Sequence, residues 1–155
     1  MDFAWLELRV PPPAVALVLA MPMWLASTRM EPAAVPYAAR TSAAALIAAA
    51  GVAVGLSAVV LFRRRATTIN PVRPSETSSL VTTGIHTLSR NPLYLSLLLY
   101  LATWCAFLAR LPLLLALPLF MLYISRFQIA PEERTLAAQF ADEFASCRAR
   151  VRRWL

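Results

Sequence analysis

Two polar stretches that carry binding and proton-transfer groups lie on either side of a pair of apolar segments. The first holds Arg90-Asn91-Pro92-Leu93-Tyr94, and the second holds Arg126 followed by Glu132-Glu133. A guanidinium binds a carboxylate or phosphate through parallel hydrogen bonds, and a carboxylate accepts hydrogen bonds from hydroxyl or ammonium groups. An amide offers a donor and an acceptor, and tyrosine adds an aromatic surface. Together these side chains are suited to binding a small charged molecule.

Each of these residues also has an ordinary structural explanation. Glu132 and Glu133 suit the first turn of a helix, where the macrodipole favours acids. Arg90 and Arg126 lie at the ends of apolar segments, as arginines do that extend to lipid headgroups. Tyr94 has the position of an interfacial aromatic residue. Taken singly, therefore, none of these residues indicates a functional site.

The composition indicates one domain that lies in a membrane. Of 155 residues, 59% are hydrophobic and 15% are charged, and the mean hydropathy is +0.61. Soluble domains carry about 25% charged residues. Twelve prolines against three glycines disfavour a sheet with tight glycine turns. These values exclude a disordered chain, a fibrous protein and an ordinary soluble globule, and they predict an all-α, multi-span helix bundle.

Four apolar segments are candidates for membrane-spanning helices, at residues 12–27, 42–62, 92–109 and 111–127. A spanning helix needs about 20 residues, which the second segment has, while the third and fourth are at the short end of the range. Arg110 and Pro112 separate the last two, which predicts a helical hairpin. The region before the first segment is not net positive, so we expect a retained helix rather than a signal peptide.

The arginines predict the orientation in the membrane. The chain has fifteen basic residues, all arginine, and a net charge of +7. With the N terminus in the cytoplasm, only three arginines fall on the opposite side, namely Arg29, Arg40 and Arg110. The positive-inside rule then places both termini and the loop 63–91 in the cytoplasm. We expect a multi-pass protein of a bacterial inner membrane that contacts anionic lipids and binds no nucleic acid.

The C-terminal tail, residues 131–153, is predicted to form one amphipathic helix. Pro131 suits the first helical position. Apolar residues then recur every three or four positions, at Leu136, Phe140, Phe144, Cys147 and Val151. Such a helix lies on the membrane surface or caps the bundle.

Gly51 and Gly55 form a GxxxG pattern on the second apolar segment. The pattern permits close approach of two helices. It predicts packing inside the bundle or, as the alternative, contact between two copies of the chain in a homodimer.

No metal site is expected. His86 is the single histidine, and no group of cysteine, histidine or acidic residues has metal-ligand spacing. Cys105 lies in an apolar segment and Cys147 in the tail, so both are expected to be packing residues rather than a disulfide.

Taken in order, the two polar stretches resemble the isoprenylcysteine carboxyl methyltransferase and phospholipid methyltransferase superfamily. The family's first pattern matches Gly84 followed by Arg90-Asn91-Pro92-Leu93-Tyr94. After a short hairpin, its second pattern matches Arg126 followed by Glu132-Glu133-Arg134-Thr135-Leu136. The arginine-rich ending at 148–154 is also similar, so the resemblance covers about residues 62–155.

The resemblance implies an integral membrane methyltransferase that uses S-adenosylmethionine and acts on a lipid or lipid-linked acceptor. In this family the cofactor pocket is built from both polar stretches at the cytoplasmic face, and the acceptor approaches from the bilayer. It implies catalytic roles for Arg126 and Glu133. It also implies cofactor contacts from Gly84, His86, Arg90, Asn91, Pro92, Tyr94, Glu132 and Glu133.

Several positions depart from the family's pattern. His86 and Ser96 stand where tyrosine and glycine are common, and Phe144 and Cys147 stand where the tail commonly has tyrosines. The tyrosine replacements remove hydroxyls that would touch cofactor or substrate, so they bear on the substrate more than on the fold. His86 then has an ordinary alternative as a loop residue with solvent or backbone partners.

The sequence does not decide whether the methyl acceptor is a carboxylate or an amine. A carboxylate is already a nucleophile at neutral pH and needs only positioning and exclusion of water. An amine must first lose a proton, so a base is useful. Arg126 would hold an acidic acceptor, while Glu133 or His86 would favour a cationic one. The alternative function is a non-enzymatic membrane bundle protein, or a family member that has lost the cofactor.

Overall fold

The computed structural model describes residues 4–64 and 80–155, and over these ranges its regular structure is helical throughout. The expected all-α class is therefore confirmed. Residues 65–79, and with them most of the predicted loop 63–91 before Gly84, lie outside the described residues. The helices are α1 Pro12–Ser27, α2 Tyr37–Arg64, α3 Pro92–Leu108, α4 Ala116–Ile124, α5 Ala130–Gln139 and α6 Ala141–Arg150.

Two helices are long and apolar enough to cross a membrane. They are α2, with 28 residues, and the continuous helical run Leu111–Gln139, with 29. Only 11% of the most apolar window of α2 is buried, whereas the core helix of a soluble protein would be mostly buried. Its outward face carries exposed leucines and valines, among them Leu46 and Leu56. An apolar surface of this extent is typical of contact with lipid. The other apolar helices, α1 and α3, have 16 and 17 residues.

The hairpin after α3 is formed by a left-handed residue. Ala109 has a φ of 52°, and its N–H donates to the carbonyl of Cys105, which ends α3. Its carbonyl accepts a hydrogen bond from the N–H of Ala33 at 2.7 Å, so the turn is tied to the segment between α1 and α2. The chain then enters a 3-10 turn, Leu111–Leu115, that leads into α4.

The fourth apolar segment does not end at residue 127. A π-helical turn, Ser125–Ile129, joins α4 to α5, so the helix continues to Gln139. The N-terminal and C-terminal segments both form hydrogen bonds to this turn. The N–H of Leu8 donates to the carbonyl of Phe127 at 3.0 Å, and the indole N–H of Trp154 donates to the Ser125 hydroxyl at 3.1 Å. A π turn widens the helix locally and is frequent at functional positions.

The single C-terminal helix predicted for 131–153 is wrong. Phe140, with φ −127° and ψ 44°, leaves the helical region and separates α5 from α6. Two acids, Asp142 and Glu143, favour a new helix start directly after it. The change of direction lets α6 bury Phe144 and Cys147, the apolar positions that the sequence pattern had assigned to one long face.

The closest helix packing lies between α2 and α3. Gly51 is buried, and a Cβ added to it would lie 3.1 Å from the ring of Tyr100. A Cβ on Gly55 would lie 3.2 Å from the hydroxyl of Ser96. The close approach that the GxxxG pattern permits is thus made to α3 within the chain. A homodimer through these glycines would have to displace α3.

We expect Gly51→Leu to lower the melting temperature of the detergent-solubilised protein. The added side chain forces α2 away from Tyr100, and overpacking of this kind costs about 1–3 kcal/mol. That loss exceeds the gain of up to about 1 kcal/mol from removing a helical glycine. The matched control is Ala50→Leu, on the exposed side of α2. An unchanged melting temperature combined with loss of a dimer in light scattering would instead place this face between two copies.

Candidate functional site

The first and second polar stretches meet at one end of the bundle around Glu133. Its carboxylate lies 3.1 Å from Nη2 of Arg90, which precedes α3. It also accepts two hydrogen bonds from Arg153 in the tail, from Nε at 3.2 Å and from Nη2 at 2.5 Å. The side chains of Arg90 and Glu133 are only 12% and 15% exposed, so solvent screens this pair weakly. One acid therefore joins three distant parts of the chain.

The C-terminal tail closes over the loop before α3. The N–H of Arg90 donates to the carbonyl of Arg152 at 3.1 Å, and the amide of Asn91 donates to the carbonyl of Arg153 at 2.9 Å. The fully buried Ser89 accepts from the N–H of Asn91 at 3.2 Å and donates to the carbonyl of Arg153 at 3.4 Å. The donor group of Asn91 thus positions the tail.

A second contact joins α3 to α5. The hydroxyl of Tyr94 donates to Oε1 of Glu132, which is 38 residues further along the chain. Tyr94 is buried, so its position is not that of an exposed interfacial aromatic residue. Pro92 occupies the start of α3 and is also buried, which fixes the direction in which Tyr94 leaves the loop.

Arg90 keeps two donors that the described residues do not satisfy. Its Nε and Nη1 are buried and have no hydrogen-bond partner in residues 4–64 and 80–155. Its guanidinium carbon lies 5.9 Å from the centre of the Phe144 ring, and the single ion pair to Glu133 uses Nη2. Buried unsatisfied donors are costly, so an anionic group bound here would stabilise the arrangement.

Gly84 and His86 are held by the end of α2. Gly84 has a φ of +60°, and a Cβ added to it would lie 2.7 Å from Leu61, so glycine is required. His86 is buried with its ring perpendicular to that of Phe62, the centroids 5.2 Å apart. Burial lowers the pKa of His86 from 6.5 to about 4, which keeps the imidazole neutral. Neither residue takes part in the ion pairs around Glu133 that the structure describes.

Arg126 is paired with the N-terminal segment. Its Nη1 lies 2.6 Å from Oε1 of Glu7, and Arg134 binds the other oxygen of the same carboxylate. The hydrogen bond from Arg126, with that from Arg134, holds the pKa of Glu7 below its usual range. The Arg126 side chain is 51% exposed, in contrast to Arg90. The structure therefore does not bring Arg126 into the ion pairs of Glu133, and a role at an acceptor stays a prediction.

Sequence reasoning missed Arg153. The tail contains four arginines between positions 148 and 153, and each suits a basic membrane-facing end equally well. Only the break at Phe140 and the extended backbone at Val151 turn Arg153 toward Glu133. A local signal for this choice is absent from the sequence, because the partner lies 20 residues away across a change of direction.

Comparison with known proteins places the chain beside a bacterial relative. A protein of Haemophilus influenzae is 44% identical over 63 residues, which is 41% of this chain and the whole of that protein. The two chains belong to one family. The Haemophilus protein is itself described as uncharacterized, so the similarity indicates no activity for this chain. No family model and no solved structure matches the chain.

The neutral, buried His86 predicts a pH-dependent loss of stability. The unfolded chain binds a proton near pH 6.5 and the folded chain near pH 4, so stability is full above pH 6.5 and falls as the pH drops toward 4. The loss reaches about 3 kcal/mol, since one pKa unit corresponds to about 1.4 kcal/mol. We expect the melting temperature in detergent to fall over this range, and His86→Gln to flatten the fall. Equal slopes for both proteins would contradict a buried, neutral imidazole.

Proposed function

We propose that the chain is a membrane-embedded methyltransferase that uses S-adenosylmethionine and acts on a lipid or lipid-linked acceptor. The observation that carries the proposal is the buried guanidinium of Arg90, with two donors unsatisfied by the described residues, beside the carboxylate of Glu133. The next acid in the chain, Glu132, accepts a hydrogen bond from the Tyr94 hydroxyl. Cationic and anionic groups that lie side by side in a partly buried site suit a zwitterionic ligand. These residues also occupy the matching positions of the methyltransferase pattern.

The residues present fit the charged groups of S-adenosylmethionine. Its carboxylate would bind Nε and Nη1 of Arg90, which are otherwise costly to bury. Glu133 is already neutralised by Arg90 and Arg153, so Glu132 is the acid left to face an ammonium group or ribose hydroxyls. Asn91 acts through the tail, which its side-chain amide holds in place.

The chain's own residues would supply positioning and exclusion of water. When bound, the cofactor supplies an electrophilic methyl group on a sulfonium. The tail, held over the site by Asn91 and by the Arg153–Glu133 pair, shields the reacting groups from water. The negative field of Glu132 stabilises a neighbouring cation, and burial strengthens that interaction. For an acidic acceptor these roles suffice, because a carboxylate needs no general base.

An amine acceptor would require a proton to leave. Glu132, linked to the hydroxyl of Tyr94, is the partly buried carboxylate available to receive it. Carboxylate and amine acceptors therefore make different demands on the same site. We keep both within the proposal, as the carboxylate of an isoprenylcysteine-like group or the amine of a phospholipid.

The membrane arrangement that accompanies this function is a four-span bundle with both termini in the cytoplasm. Arg63 and Arg64 end α2, and Arg90 precedes α3, which places these arginines at the end of the bundle where the candidate site lies. Arg40 and Arg110 lie at the other end. The positive-inside rule favours a cytoplasmic site, where a soluble cofactor is accessible. In a bacterium the membrane would be the inner membrane.

A non-enzymatic role is the second candidate, and a specific observation favours it. The functional groups of Glu133, Asn91 and Tyr94 already have partners within the chain. Such contacts can serve only to lock the tail onto the bundle, as in a structural membrane protein or a family member that has lost its cofactor. Cofactor binding separates the two candidates.

We expect the detergent-solubilised protein to bind S-adenosylmethionine and S-adenosylhomocysteine in isothermal titration. Arg90→Gln removes both donors and should weaken both ligands by at least roughly tenfold to a hundredfold, which is the effect of losing a single charge-assisted hydrogen bond. Arg148→Gln, which changes an exposed arginine of α6, is the matched control. Glu132→Gln keeps the shape of the side chain but removes its charge. We therefore expect it to lower the affinity only through the lost contact with a cationic group of the ligand. Absence of binding by the parent protein would support the structural role.

The substitution Arg126→Lys tests whether the methyl acceptor is acidic. Lysine keeps the charge but loses the planar fork that binds a carboxylate. If the acceptor is acidic, we expect transfer of labelled methyl groups into extracted lipid to fall while cofactor affinity is retained. Arg134→Lys is the matched control, because Arg134 binds the same Glu7 carboxylate as Arg126. Equal losses for both variants would mean that Arg126 only anchors the N-terminal segment.

A further inference from the structure

An apolar groove lies at the end of the bundle opposite the candidate site. It has a volume of about 380 Å³, and α2, α3, the 3-10 turn Leu111–Leu115 and α4 contribute to its wall. Representative apolar wall residues are Ala43, Ile47, Ala106 and Leu117. The only charged side chains in the lining that the structure describes are Arg40 and Arg110. Its volume falls within the range of about 300–1,000 Å³ that is typical of small-molecule sites.

Arg40 carries a positive charge that the described residues leave uncompensated. It lies in the first turn of α2, where the helix dipole is also positive and where no acidic residue is present. Its Nε is buried without a hydrogen-bond partner in the described ranges, and its guanidinium carbon lies 4.9 Å from the centre of the Tyr37 ring. An anion at this position would satisfy the donor and offset both positive fields.

Arg110 is fixed in the same lining. Its Nε donates to the carbonyl of Met30 at 3.0 Å, and its Nη1 donates to the carbonyl of Leu108 at 2.5 Å. Carbonyls are neutral, so these bonds hold the guanidinium in place and leave its charge intact. In the described segments 28–41 and 109–112, three arginines stand against one acid, Glu31.

We propose that this groove binds one anionic glycerophospholipid, with an acyl chain along the apolar wall and the phosphate at Arg40 and Arg110. Charge complementarity identifies the headgroup, and the apolar lining identifies the chain. The 17 residues of α3, at 1.5 Å per residue, place the phosphate position at Arg110 about 25 Å from Arg90. The bound lipid is therefore not the methyl acceptor, and the inference does not depend on the proposed activity.

Native mass spectrometry of the full chain in detergent tests the proposal. The probes are phosphatidylglycerol and phosphatidylcholine with identical acyl chains. We expect one retained phosphatidylglycerol and an affinity about tenfold weaker in Arg40→Gln, since a charge-assisted contact is lost. Arg64→Gln changes an exposed arginine at the other end of α2 and should bind like the parent. Ala43→Phe, which fills the groove, should abolish retention while the melting temperature is preserved.

Three results would overturn the proposal. Equal affinities of Arg40→Gln and Arg64→Gln for phosphatidylglycerol would mean that the headgroup lies elsewhere. Equal binding of the two lipids by the parent would mean that the groove holds bulk membrane lipid without recognition of charge. Displacement of the lipid by millimolar inorganic phosphate would mean that the arginines bind a free anion and that the apolar wall adds nothing.

Discussion

The carboxylate of Glu133 is the point on which the arrangement of this end of the molecule depends. It pairs with Arg90, just before α3, and with Arg153, at the end of the chain, while its own backbone belongs to α5. The Arg90–Glu133 pair is largely buried, so removing Arg90 would leave an uncompensated charge in a weakly screened environment. Together with the hydrogen bonds from Arg90 N–H and Asn91 to the backbone of the tail, these ion pairs hold the end of the chain against the loop before α3.

The same arrangement explains why the site supports two functional interpretations. A buried acid with two arginines is a stable lock for a tail, and it needs no ligand. The guanidinium of Arg90, however, has three nitrogens, and the described contacts use one of them. If the ion pairs served only to hold the tail, the protein would be more stable with the other two nitrogens of Arg90 hydrogen-bonded or exposed, because each unsatisfied buried donor costs free energy. The excess of donors is what favours a bound anion at Arg90.

The exterior of the bundle fits a lipid environment along the sides of its helices. Exposed leucines on α2 and α4 would be unfavourable in water, and they are neutral against acyl chains. Among the residues that the structure describes, the ion pairs of Glu133 lie at one end of the bundle and the groove arginines at the other. The length of α3, about 25 Å at 1.5 Å per residue, exceeds the Debye length, so the two charged regions interact only weakly with each other.

The sequence by itself determined the all-α class, the four apolar segments and the residue types of the candidate site, because composition and periodicity are local properties. It placed Arg90, Tyr94 and the two glutamates together only through a resemblance. Tertiary structure decided what local patterns cannot encode. The predicted tail helix ends at Phe140, and Arg153 forms an ion pair with Glu133. Arg126 pairs with Glu7, and the glycines of α2 pack against α3. In each case several similar residues could have made the contact, and the packing of distant segments determines which one does.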